Sequence, residues 1–98
     1  MEVIFHDKDL DRLYTDPKFD AGFSQAIVRI YRKRMQLIRS APDERAFYAM
    51  KSLHFEKLRG DRSGQHSMKI NDQWRLILEF EGSGSEKVAC IVGIEDYH

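Results

Sequence analysis

Apolar positions along the chain follow two different periods. Between Asp9 and Ser40 they recur every three or four residues, and from Gln65 to Ile94 they alternate with other positions. The first spacing lines one stripe of a helix, the second one face of a strand. Glu2-Val3-Ile4-Phe5-His6 is a β-branched and aromatic run that predicts a first strand, ended by Asp7. Leu10, Leu13 and Tyr14 predict a short helical turn over Asp9 to Tyr14. Thr15-Asp16-Pro17 carries a helix-start signal, with Asp16 as N-cap and Pro17 at the first helical position. From there to about Ser40, Phe23, Ile27, Ile30, Leu37 and Ile38 share a face widened by Ala26 and Tyr31. Arg29, Arg32, Lys33 and Arg39 fall mostly outside it and read as a solvated surface. Arg34 lies near the middle of the stripe, which predicts that it snorkels or pairs with a carboxylate. Ala41-Pro42-Asp43 ends this helix, and Asp43 is placed to cap another from Glu44 to about Ser52, with Phe47 and Met50 inward.

Residues 53–64 read as irregular, with Gly60-Asp61 and Ser63-Gly64 as turn dipeptides. Three alternating runs follow. In Gln65–Ile70, His66, Met68 and Ile70 share a face and Lys69 lies on the other. In Gln73–Glu81, Trp74, Leu76, Leu78 and Phe80 oppose Arg75, Ile77 and Glu79. In Lys87–Ile94, Val88, Cys90, Val92 and Ile94 alternate with Ala89, Ile91 and Gly93. Asn71-Asp72 suits a tight hairpin, and Glu81-Gly82-Ser83-Gly84-Ser85 a flexible one. The pattern predicts an α+β fold in one domain over residues 1–98, an N-terminal strand and helices packed on one face of a small antiparallel sheet. Lys69 and Arg75 then make the opposite, open face basic, and the chain end reaches its rim.

Composition narrows the function classes. The chain has 98 residues, 42% of them hydrophobic and 33% charged, which suits one folded core. No apolar run approaches the ~20 residues that span a bilayer, and the N-terminus lacks a basic segment leading into an apolar one. No membrane partner is expected. The single cysteine, Cys90, excludes an internal disulfide, fits a cytoplasmic protein and reads as a small buried residue. The four His are scattered without ligand spacing, so no metal or other cofactor is expected, and no Walker or dinucleotide glycine motif is present.

Net charge is zero, yet the charges are uneven. The first twenty residues hold five Asp and one Glu against three basic residues, whereas residues 51–75 hold six Lys or Arg against three acidic residues. A neutral protein thus carries a local basic patch.

The stretch Leu53 to Arg75 contains His54, Lys57, Arg59, Arg62, Lys69 and Arg75, and the chain closes on Glu95-Asp96-Tyr97-His98. RNA cleavage without a metal needs a base for the ribose 2′-OH, an acid for the leaving 5′-oxygen, and cations for the phosphate. His titrates in the right range, Arg offers a two-pronged phosphate contact, and aromatic faces stack on unpaired bases. The plainer readings are a backbone-satisfied loop residue for His54, a structural His66, a turn brace for Arg62, a core Trp74 and a frayed terminal His98.

Leu53-His54, Gly60-Asp61-Arg62, Ser63-Gly64, Ser67, Asn71, Trp74-Arg75 and the terminal Asp96-Tyr97-His98 resemble the HigB branch of the RelE/ParE toxin superfamily. Those are toxins of bacterial type II toxin–antitoxin modules, and the resemblance covers essentially the whole chain. It implies a RelE-like fold and a ribosome-dependent mRNA endonuclease that cuts the codon in the A site. It also implies a HigA-like helix-turn-helix antitoxin, with operator DNA bound only through the toxin–antitoxin complex. Residue by residue, it implies proton transfer by His98, codon positioning or stacking by Tyr97, and phosphate stabilisation by Arg75 and Arg62. Asp96 is the acidic neighbour that orients a His, with Arg59, Lys69 and His54 near the RNA. A family lysine before Gly-Asp-Arg is Arg59 here; a guanidinium is a poor acid or base, so that role falls to Lys57 or disappears. A second departure is the neutral net charge, which predicts weaker ribosomal RNA binding and a mild toxin. The alternatives within the same fold are a ParE-like gyrase inhibitor and a degenerate toxin that acts only with its antitoxin.

Overall fold

The computed structural model describes residues 1–96; Tyr97 and His98 lie outside them. The chain forms β1 (Glu2–Phe5), α1 (Lys8–Thr15), α2 (Gln25–Ser40), α3 (Arg45–Tyr48), β2 (Glu56–Lys57), β3 (Gln65–Lys69), β4 (Trp74–Glu81) and β5 (Val88–Asp96), with 3₁₀ turns at Lys51–Leu53, Gly60–Arg62 and Gly84–Glu86. The five strands lie in the order β1-β5-β4-β3-β2. β2 through β5 pair antiparallel, as the alternating runs predict, while β1 pairs parallel with β5, so the sheet is mixed.

The apolar stripes meet as expected from their periods. Leu10 and Leu13 of α1, Ile27, Val28, Tyr31, Met35 and Ile38 of α2, and Phe47 of α3 bury against Met68, Leu76, Leu78, Ala89 and Ile91 of the sheet. The stripe of α2 is centred on Val28, Tyr31, Met35 and Ile38, whereas Ala26 is exposed and Ile30 and Leu37 are half-buried. Burying one such side chain removes roughly 1.5–3 kcal/mol of apolar hydration. The Tyr31 hydroxyl donates to the Leu10 carbonyl at 2.7 Å, which ties the two helices together inside the core.

Several sequence expectations are corrected. α2 begins at Gln25, where the Ser24 hydroxyl accepts from the Ile27 amide, and not at Asp16-Pro17. Asp16 instead closes α1: its amide donates to the Arg12 carbonyl, and its carboxylate accepts from the Lys18 amide at 2.9 Å. That side-chain contact offers the backbone an alternative to the helix. Arg32 is no solvated residue; its guanidinium donates to the carbonyls of Leu13, Asp16 and Phe19. Among the described residues Arg34 meets a backbone carbonyl rather than a carboxylate: its Nε donates to the Lys69 carbonyl at 3.1 Å, fastening α2 to the end of β3. α3 is a single turn rather than a helix to Ser52, and Met50 is exposed.

The last strand also departs from simple alternation. Leu78 pairs with Ile91 but Ile77 pairs with Gly93, so Val92 is an extra residue in β5. Such a bulge shifts the phase of every side chain beyond it. Ala89 and Ile91 face the helices, as does Ile94 past the bulge, rather than one uninterrupted alternating set.

A candidate phosphate site on the open face of the sheet

The face of the sheet away from the helices is formed by Ser67 of β3, Arg75, Ile77 and Glu79 of β4, and Cys90, Gly93 and Glu95 of β5, which pair side by side. Its centre is Arg75. This side chain is 8% exposed, unusual for a cation, and its guanidinium donates to the Ser67 hydroxyl at 2.7 Å and to the His54 carbonyl at 2.6 Å. A Glu56 carboxylate lies 3.7 Å away. Partners on several sides fix the guanidinium before any ligand arrives, which is the condition for strong electrostatic stabilisation. His54 supplies its carbonyl because it ends a 3₁₀ turn in the left-handed region, with φ 43°. Its exposed side chain borders a depression shared with Lys69, Asn71, Asp72 and Arg75. The Lys69 ammonium there is 3.0 Å from Asp72.

A second depression, about 200 Å³ in volume, adjoins the other side of Arg75 and is lined by Leu58, Arg62, Ser67, Ile77, Glu95 and Asp96. Arg62 reaches it from the Gly60–Arg62 turn, which begins at the left-handed Gly60 with φ 68°. Two nitrogens of its guanidinium meet the two Glu95 oxygens at 2.6 and 2.7 Å, and its Nε donates to Gln65 Oε1 at 3.0 Å. The hydrogen bonds with Glu95 raise the Arg62 pKa above the ordinary value. Gln65 is held in turn by Glu79, 3.0 Å away. Asp96 ends the described chain at the rim, where its carboxylate accepts from the Gln73 side chain at 3.1 Å.

Of the residues singled out from sequence, Arg62, Arg75 and Asp96 are brought together, and His54 and Lys69 flank Arg75 on its other side. Arg59 is exposed on the turn and lines neither depression. Lys57 is the clear departure. It pairs with His66, which stacks on Phe55 on the helix face, so the register of β2 directs Lys57 away from the open face. Tyr97 and His98 fall outside the described residues. His66 has the structural place expected of it, and burial lowers its pKa. Cys90 is buried, which raises its thiol pKa. Among the described residues, no group of His, Cys, Asp and Glu is arranged to hold a metal ion. No helix among them is long and apolar enough to cross a membrane.

Sequence reasoning did not assign Glu95, Gln65 or Glu56 to the site. Glu95 reaches the open face only because of the bulge at Val92. Strict alternation from Ile91 would have turned it toward the helices.

The fold has solved counterparts. A YoeB/ParE toxin from Agrobacterium tumefaciens superposes with a TM-score of 0.67 at 18% identity, covering 100% of both chains. YafQ from E. coli strain BL21(DE3) superposes with a TM-score of 0.62 at 11% identity, covering 98% of this chain and 92% of that one. A search of curated protein sequences gives no match. The family model for the RelE-like toxin of the HigB type II toxin–antitoxin system matches residues 3–98. The chain therefore belongs to the HigB-like family of RelE-like toxins from type II toxin–antitoxin systems.

Proposed function

We propose that this toxin is a ribosome-dependent endoribonuclease that cuts mRNA in the ribosomal A site and so inhibits translation. The observation that carries the reading is the convergence of Arg62, Arg75 and the end of β5 on one depression of the open sheet face. A buried, preoriented guanidinium and a second, more exposed one flank a space that suits a phosphodiester. Their chemistry fits cleavage by the RNA's own 2′-hydroxyl. A base removes the 2′ proton, the 2′-oxygen bonds to phosphorus, and the bond from phosphorus to the 5′-oxygen breaks. An acid protonates that oxygen, leaving a 2′,3′-cyclic phosphate and a 5′-hydroxyl. Arg75 and Arg62 bear the charge that grows on the phosphate oxygens. Proton transfer is assigned to His98 and base stacking to Tyr97, the two residues that follow Asp96 in the sequence; Asp96 itself lines the depression. Asp96 and His54 border the RNA path, as does Lys69. Lys57 takes no part in this scheme, given its register on β2.

Membership of a type II toxin–antitoxin family implies an antitoxin partner. We assign it the HigA-like helix-turn-helix type, with operator DNA bound by the complex, and assign the toxin to the cytoplasm where ribosomes work. Primer extension on a defined mRNA in a translating extract tests the activity. The full chain is expected to give codon-phased cuts that require ribosomes, and a chain lacking Tyr97 and His98 none. Arrested supercoiling in a parallel gyrase assay, without cuts, would overturn the reading in favour of gyrase inhibition. Cuts that survive the truncation would move proton transfer to the His54–Arg75 stretch.

A further inference from the structure

The Arg62 fork is already occupied. Its two terminal nitrogens hold both oxygens of Glu95 in the parallel arrangement that a guanidinium also offers to a phosphate. Three features set this contact apart from an ordinary ion pair. First, Glu95 is on the open face only because β5 carries one extra residue, Val92. Second, the fork has a further anchor besides Glu95. Gln65 grips the Arg62 Nε from behind, and Glu79 grips Gln65. Third, the pair is accessible, with side chains 41% and 42% exposed, so a competing anion can reach it.

We propose that Glu95 is an internal occupant of the Arg62 phosphate site, holding in the free protein the place that an RNA phosphodiester takes on binding. The inference rests on the reading of this depression as an RNA site and adds a residue that sets its affinity. Glu95 presents two oxygens and one negative charge, as a phosphodiester does. The exchange replaces one fork-bound anion with another, so RNA enters only where further contacts, such as those to Arg75 and stacked bases, tip the balance. An isolated phosphate gains little, and a codon held in place by other contacts gains enough. The toxin is thereby kept from sequestering free RNA.

The inference has a sign that a bracing role does not share. If Glu95 merely held Arg62 in position, its removal would loosen the fork and weaken RNA binding. If it occupies the site, Glu95→Gln strengthens binding. The measurement is fluorescence anisotropy of the folded full chain with a fluorescein-labelled hexa-adenylate at low salt. Glu95→Gln is expected to bind about threefold to tenfold more tightly than the native chain. Glu81→Gln makes the same change of net charge at the exposed far end of β4 and is expected to bind like the native chain. In an Arg62→Ala background the gain from Glu95→Gln is expected to vanish. Equal or weaker binding by Glu95→Gln, including no binding by either protein, overturns the proposal, as does an equal gain from Glu81→Gln. A gain specific to Glu95→Gln upholds it whatever the cleavage assay gives, so loss of the nuclease reading and loss of this one are separable.

Discussion

The two faces of β4 are built from alternate residues of one strand, yet they hold opposite kinds of structure. On the helix side Leu76 and Leu78 are fully buried among other apolar side chains. On the open side Arg75 is also buried, but among a hydroxyl, a carbonyl and a carboxylate. Contact on the first face is nondirectional and stabilises in proportion to the area removed from water. On the second it is directional, and each partner matters because a lone buried charge is costly. One strand thus anchors the core with its even-numbered residues and aims a cation with its odd-numbered ones. Mutations on the two faces are therefore separable.

The largest effect on stability is expected on the helix face. Leu78→Ala leaves a cavity at the centre of the sheet and should lower unfolding free energy by about 2–5 kcal/mol in urea melts. Cleavage per folded molecule should change little, and a large drop in it would break the separation of the faces. Next is Arg75→Lys, which keeps the charge and loses the planar guanidinium whose one terminal nitrogen donates to both Ser67 and His54. Its cleavage rate in a translating extract should fall about 10²–10³-fold, with a stability loss of only about 1–2 kcal/mol. Arg62→Ala should be milder still for the fold. Its pair with Glu95 is half-exposed, so urea melts should show a loss of at most about 1 kcal/mol.

The smallest expected effect is a pH slope from His66. Burial holds its folded pKa below the ordinary 6.5, so the unfolded chain binds the extra proton first as pH falls. The stability associated with neutral His66 is complete above pH 6.5 and declines as pH drops through its folded value. His66→Gln should flatten that acid-side decline in melts followed across pH 5 to 7. A slope of opposite sign would contradict the burial argument.

The alternation in 65–81 made β3, β4 and their hairpin at Asn71-Asp72 readable in advance, and it also placed Arg75 on the open face. The rest of the site resisted for physical reasons. β2 is two residues long, too short to show a period, and its pairing decides that Lys57 faces the wrong way. The bulge at Val92 exists only in the register of β5 against β4, a relation between strands that no local pattern carries. Glu95 was thus visible at the chain end but could not be assigned a face. Asp16-Pro17 misled because a capping side chain serves a turn as well as a helix start, and here it follows α1 rather than opening α2.

The claim that the open face carries RNA chemistry is tested most directly by primer extension on a defined mRNA in a translating extract, comparing the full chain with Arg62→Ala. Both proteins should be folded by circular dichroism. Codon-phased, ribosome-dependent cuts that weaken about a hundredfold or more in the variant are predicted. Cuts of equal strength from both, or none from the native chain, would contradict it.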